Sequence, residues 1–130
     1  MIYVDTHVVA WLYAGKPELF PAAVRSLLET EDLLISPMVE LELQYLFELE
    51  RTAEPGRVVV DALEREIGLT RCELPFNQVV AAALHHEWTR DPFDRLIVAQ
   101  ALRLGLRLPS SRKRRVICQR STRIICVLLF

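Results

Sequence analysis

Short β-branched or apolar runs alternate with helical stretches along this chain, and that alternation restricts its fold more than any other feature. "IYVD" (2–5), "DLLIS" (32–36), "LTRCEL" (69–74) and "LRL" (106–108) read as strands. Between the first two, "THVVAWLYAG" reads as a helix stopping at Gly15, and "PELFPAAVRSLLETE" as a second with Pro21 near its start. "PMVELELQYLFELE" follows as a helix with Pro37 early; Leu41, Tyr45 and Leu49 fall on one stripe, with Leu46 beside it. "EPGRVVVDALEREIG" ends at Gly68, "FNQVVAAALHHEW" is helical, and "DPFDRLIVAQALRLG" stops at Gly105. Strands joined through helices need right-handed crossovers, which predicts an α/β domain with a parallel sheet covered on both faces. Ligands of such folds gather outside the carboxyl ends of the strands, the region where Asp5 falls.

Several classes are excluded. A chain of 130 residues, 52% hydrophobic and 25% charged, is one globular domain rather than a disordered segment. No apolar run approaches the ~20 residues that span a bilayer. The N-terminus has no basic leader and carries Asp5 inside its apolar run, which argues against a signal peptide. Cys72, Cys118 and Cys126 are odd in number and form no C-x-x-C pair, so a reducing cytoplasm fits better than zinc or disulfides. Four scattered glycines make no phosphate loop, and no G-x-S-x-G is present. His85 and His86, adjacent on a predicted helix, diverge by about 100° and do not chelate on one face. Trp11, Tyr13, Tyr45 and Phe47 are read as core or interface residues rather than base-stacking platforms.

The acids remain. Asp5, at the end of an apolar strand, is costly to bury unpaired; its plainer role is to cap the next helix. Asp91, Pro92 and Asp94 likewise suit N-cap, N1 and N3, with Asp94 reaching back as in a capping box. Glu40 and Glu42, two residues apart on a helix, diverge by about 200°, so at most one points into a site. If Leu41 and Tyr45 mark the core side, neither glutamate is at its centre, and spacing alone does not choose. Together, an acid after the first strand, one after the second and a pair opening a later helix can meet at one sheet end. Clustered carboxylates repel unless a cation neutralises them, and all-oxygen donors suit Mg²⁺ or Mn²⁺.

"IYVDTHVVAWLY", "ISPMVELELQYL" and "RDPFDRLIVAQAL" resemble the three successive acidic motifs of PIN-domain ribonucleases, above all the toxin half of bacterial VapBC-type toxin–antitoxin pairs. The likeness spans about residues 1–108, and the third motif is its most specific part. It implies a PIN-like three-layer α/β/α domain with a central parallel sheet of about four to five strands. It also implies a cytoplasmic, Mg²⁺- or Mn²⁺-dependent endoribonuclease acting on RNA through metal-activated water. A cognate antitoxin would silence it, and a homodimer is compatible with the family. Carried over, Asp5 is the first metal-binding acid. Glu42 is the second, since it stands six residues after Ser36, the small polar residue ending the second strand; Glu40 is held in reserve. Asp94 is the third, with Asp91 in support through the metal, a water or Arg95. Thr6 is placed to orient a carboxylate. The helix N-terminus at Asp94 would also offer free N–H groups to a substrate phosphate.

The chain departs from the family in one respect. All 17 acids lie in residues 1–94 beside 7 Lys/Arg, whereas residues 95–130 hold 9 Lys/Arg and no acid. The family's further acid, in a Thr-x-Asp-like context after the fourth strand, is therefore absent. The stretch 109–130, "PSSRKRRVICQRSTRIICVLLF", is an atypical basic tail on a single domain spanning 1–130. It reads either as a natural variant whose "RKRR" contacts RNA or as the product of a reading-frame slip near residue 109. The abrupt loss of acids favours the slip. Its apolar end, Ile124–Phe130, can form a final strand. Two other functions stay open: a catalytically impaired PIN-like module that still binds its antitoxin or RNA, and a basic-tailed RNA-binding protein that needs no metal.

Overall fold

The computed structural model describes residues 1–87, 89–104 and the backbone of 128–129. The expected fourth strand at 106–108 and the "RKRR" run lie outside the described residues. Three short strands run parallel: β1 (Ile2–Tyr3), β2 (Leu33–Ile35) and β3 (Thr70–Arg71). β1 pairs with β2 at Ile2–Leu33 and Tyr3–Leu34, and β2 with β3 at Leu34–Thr70 and Ile35–Arg71. Within the segment expected to form a final strand, β4 (Leu128–Leu129) pairs antiparallel with β1, giving the order β3-β2-β1-β4. The parallel arrangement brings Asp5, two residues past β1, and Ser36 and Cys72, the residues just past β2 and β3, to the carboxyl end of the sheet.

Among the described residues six helices accompany the sheet: α1 (Thr6–Tyr13), α2 (Ala22–Thr30), α3 (Pro37–Glu48), α4 (Gly56–Ile67), α5 (Phe76–Ala83) and α6 (Pro92–Arg103). The α/β expectation holds. Two helix readings need correction. The single helix expected over 17–31 is a 3₁₀ turn, Pro17–Leu19, followed by α2; Phe20, extended at φ −96° and ψ 137°, breaks them apart. A residue before proline is pushed out of the helical region, so Pro21 ends one element and opens the next. The helix over 76–88 stops at Ala83, which leaves His85 and His86 in the turn beyond it. Among the described residues no helix is long and apolar enough to cross a membrane.

The main core joins Ile2, Tyr3 and Val4 of the central strand to Val8 and Val9 of α1, Val39 and Leu43 of α3, Val59, Val60 and Leu63 of α4, and Ile97 and Val98 of α6. A smaller cluster, Val79, Ala83 and Ala99, seals α5 against α6. The left-handed Gly68, at φ 71°, ends α4 where a side chain would be strained. Gly56 serves close approach instead. A Cβ there would stand 2.2 Å from the Glu40 carbonyl oxygen and 2.8 Å from the Gln44 nitrogen, so α3 and α4 meet with no room for a methyl group. Both contacts are backbone and neither can swing away. Gly56→Ala is expected to lower unfolding free energy by about 1–3 kcal/mol, the usual cost of overpacking. Urea denaturation reads it, and an unchanged midpoint would contradict this crossing.

Candidate active site

Asp5 opens α1. Its extended backbone, φ −91° and ψ 178°, leaves the strand, and its side chain accepts a 3.0 Å hydrogen bond from the Val8 N–H. The capping role expected of it is therefore present. Asp5 is 5% exposed and Thr6, the next residue, 1%. The Thr6 hydroxyl donates to Glu42 Oε2 at 2.5 Å, which ties the first acid's helix to the second motif.

That bond separates the two glutamates. Glu42 is 6% exposed and shares the buried face of α3 with Val39 and Leu43. The stripe of Leu41, Tyr45 and Leu49 points the other way, at 53%, 49% and 46% exposure. It does not mark the core side: an apolar stripe shows that a helix has two faces, not which of them turns inward. Glu40 is directed elsewhere, to the Arg71 guanidinium at 2.8 Å. Asp61 at 2.5 Å and Glu64 at 2.6 Å complete a cluster of three carboxylates around that one cation. The Glu40 bond leads the causes that raise Arg71 above its ordinary range, and the Arg71 bond leads those that lower Asp61.

At α6, Asp91 caps as expected. Its Oδ1 accepts from the Phe93 N–H at 2.9 Å and the Asp94 N–H at 3.2 Å. The reciprocal half of the capping box differs. The Asp91 N–H donates to the Thr89 hydroxyl at 3.2 Å rather than to Asp94, and that hydroxyl lies 3.5 Å from Asp94 Oδ2. An aspartate at N3 is one methylene shorter than the glutamate that usually reaches back, and Thr89 fills the gap. Arg95 is held by the Thr89 carbonyl at 2.6 Å. The expectation of free N–H groups here is corrected too. Pro92 has none, Phe93 and Asp94 donate to the Asp91 side chain, and Arg95 donates to the Asp91 carbonyl.

Behind these acids lies a buried polar group with no role expected from the sequence. Gln100 of α6, 3% exposed, accepts from the Tyr3 hydroxyl at 3.2 Å and the Ser36 hydroxyl at 2.5 Å. Its amide nitrogen reaches the Cys72 carbonyl at 3.5 Å. Ser36 also caps α3 by accepting from the Met38 N–H at 3.1 Å. The one available signal was a glutamine within the apolar run "LIVAQAL". A separate cleft of about 440 Å³, bordered by Trp11, Lys16, Phe20, Arg25 and Ile67, lies at the far end of α1 and includes none of these residues.

Residues 2–112 match the family model described as PIN domain. The chain belongs to the PIN-domain family. It is also 31% identical, over 118 residues, to Ribonuclease VapC22 of Mycobacterium tuberculosis (strain ATCC 25618 / H37Rv), which covers 87% of this chain and 88% of that relative. No solved structure matches it. The VapC-type likeness read from the three acidic motifs thus stands at the level of family.

PIN-domain ribonucleases generally use divalent metal ions, and the donors of this PIN domain suit one. Glu42 is buried, its carboxylate accepts from a neutral hydroxyl, and no ion pair joins it among the described residues. A buried carboxylate in that setting favours a hard cation. Asp5 and Glu42, the buried acids of the first two motifs, are the residues whose chemistry could hold one. Among the described residues, however, no three or more Asp, Glu, His or Cys side chains stand close enough to hold a metal ion together. Asp5, Glu42 and Asp94 thus do not meet as one such group here.

The Arg71 cluster has a testable pH signature. Asp61 is held below its ordinary value when folded, so its stabilising contribution is present above that value and lost as pH falls through the lowered one. Arg71→Met is expected to return the Asp61 carboxyl toward 3.8 and to flatten the acid limb of the stability profile. A carboxyl-detected NMR titration measures this, and an Asp61 curve unmoved by the substitution would contradict the cluster.

Proposed function

We propose that this PIN domain is a toxin-type endoribonuclease that cleaves RNA phosphodiester bonds with the help of Mg²⁺ or Mn²⁺, held by Asp5, Glu42 and Asp94 with Asp91 in support. The observation that carries the reading is the 2.5 Å bond from Thr6 to Glu42 beside the buried Asp5. The residue that follows Asp5 is thus bonded to the acid of the second motif, near the carboxyl end of a parallel sheet, where α/β enzymes place their chemistry. The similarity to Ribonuclease VapC22 supports the same activity.

A divalent ion bound there supplies Lewis-acid stabilisation of phosphate charge and an acidified water. The chain's own residues prepare the place for it. Thr6 fixes the rotamer of Glu42, and the Val8 N–H fixes that of Asp5. Asp91 holds the first turn of α6 in shape, and Thr89 stands against the Asp94 carboxylate. With the α6 N–H groups already engaged, phosphate binding falls to the ion and to side chains. Glu40, bound to Arg71, belongs to the fold rather than to the chemistry.

A cognate antitoxin is proposed as the partner. Support comes from the exposed Leu41, Tyr45 and Leu49, an apolar stripe on the same helix as Glu42 of the kind that marks protein contacts. The absent further acid, and the lack of a group of three potential metal ligands among the described residues, favour one second reading, an impaired module that binds this partner without turnover.

Purified protein is expected to cut RNA with Mg²⁺ or Mn²⁺ and to stop in EDTA. Asp5→Asn and Glu42→Gln should each lower cleavage by more than ~100-fold, beyond what an outer partner of a metal ligand usually costs, while their circular dichroism stays that of the parent. Glu40→Gln should keep cleavage. Cutting that survives Asp5→Asn or EDTA removes the proposal, and a folded chain that binds partner but never cuts identifies the impaired module.

A further inference from the structure

We propose that Gln100 is the positioning residue that sets the axial register of α6, and with it the place of Asp94 relative to Asp5 and Glu42. The inference rests on the carboxylate reading of the site and adds to it how the third acid is aligned.

Each bond of the Gln100 amide reaches a different strand. Tyr3 lies in β1, two residues before Asp5. Ser36 follows β2 and caps the helix that carries Glu42. Cys72 follows β3. One side chain of α6 therefore bonds to β1 and to the residues that immediately follow β2 and β3. Asp94 stands six residues before Gln100 on the same helix, about 9 Å along its axis. A slip of α6 by one turn would move Asp94 by about 5.4 Å, which is far enough to remove it from any shared ion.

Apolar packing does not fix such a register by itself. Around Gln100 the buried face of α6 is Ile97, Val98, Ala99 and Ala101, four aliphatic side chains that can trade contacts with their neighbours as the helix slides. Hydrogen bonds cannot be traded in this way, because a slipped helix would leave buried polar atoms unpaired. The Tyr3 and Ser36 hydroxyls both stand against the amide oxygen of Gln100 and also bond to one another, while the Ser36 oxygen accepts from the Met38 N–H. Burial holds the Tyr3 phenol far above its ordinary pKa, so it remains protonated. With its oxygen turned to these hydroxyls, the amide presents its nitrogen to the Cys72 carbonyl.

The test uses the full chain with Mn²⁺ alone as probe, its affinity measured by calorimetric titration well below the melting temperature. Gln100→Met keeps the side-chain length and removes every bond; Tyr3→Phe removes one hydroxyl and carries the test if Gln100→Met does not fold. Val98→Ala, a neighbour buried on the same helix, is the control for lost stability alone. Both polar variants are expected to bind Mn²⁺ about 10- to 100-fold more weakly, as other changes behind a metal ligand do, with kcat lowered and KM retained. Val98→Ala should bind as the parent does. Parent-like affinity in the folded polar variants, or an equal loss in Val98→Ala, overturns the register role while leaving the site itself standing. A parent chain that binds no Mn²⁺ removes the carboxylate site and this inference together.

Discussion

Two carboxylates buried at the end of a parallel sheet are the constraint around which the rest of this molecule is arranged. Water solvates an aspartate or glutamate far better than a protein interior does, so Asp5 and Glu42 at 5% and 6% exposure carry a desolvation cost. The fold offsets part of it with local bonds, the Val8 N–H to Asp5 and the Thr6 hydroxyl to Glu42. Neither donor is a full positive charge. Glu42 has no ion pair among the described residues, so a bound divalent cation would offset its burial more fully than the neutral Thr6 hydroxyl does.

The surrounding acids are sorted by their cations. Arg71 gathers Glu40, Asp61 and Glu64 at the β3 edge, which draws Glu40 away from the face that Glu42 occupies. Helix α3 thus sends its two glutamates in nearly opposite directions, one to a guanidinium and one toward the site. Gly56 lets α4 press against the α3 backbone at Glu40 and Gln44, on the helix that carries both glutamates. On the sheet side, the Ser36 and Tyr3 hydroxyls bind α6 through Gln100. Packing and polar bonding therefore act on the same few elements, those that carry Asp5, Glu42 and Asp94.

Much of this was legible in the sequence, for identifiable reasons. The strands show as β-branched or apolar runs, the caps Asp5 and Asp91 as acids before helical periodicity, and the α4 stop as Gly68. The three motifs were recognisable by their order and separation. What stayed hidden depended on direction or on distant partners. Periodicity placed Leu41, Tyr45 and Leu49 on one stripe but could not say that it turns outward. That Glu40 and Glu42 have different partners depended on an arginine 31 residues away from the first of them. Gln100 looked like one polar residue in an apolar helix because its partners lie on three other elements. Thr89 displaced the expected capping box through a side-chain length that no spacing rule encodes.

The central claim is that Asp5 and Glu42 share a divalent cation. Crystals soaked in Mn²⁺ and measured at the manganese absorption edge test it without reference to activity. The account predicts an anomalous peak about 2.0–2.2 Å from carboxylate oxygens of both residues, at the bond lengths of hard divalent ions, with Thr6 still bonded to Glu42. A peak that touches neither residue, or no peak at saturating Mn²⁺, would contradict it.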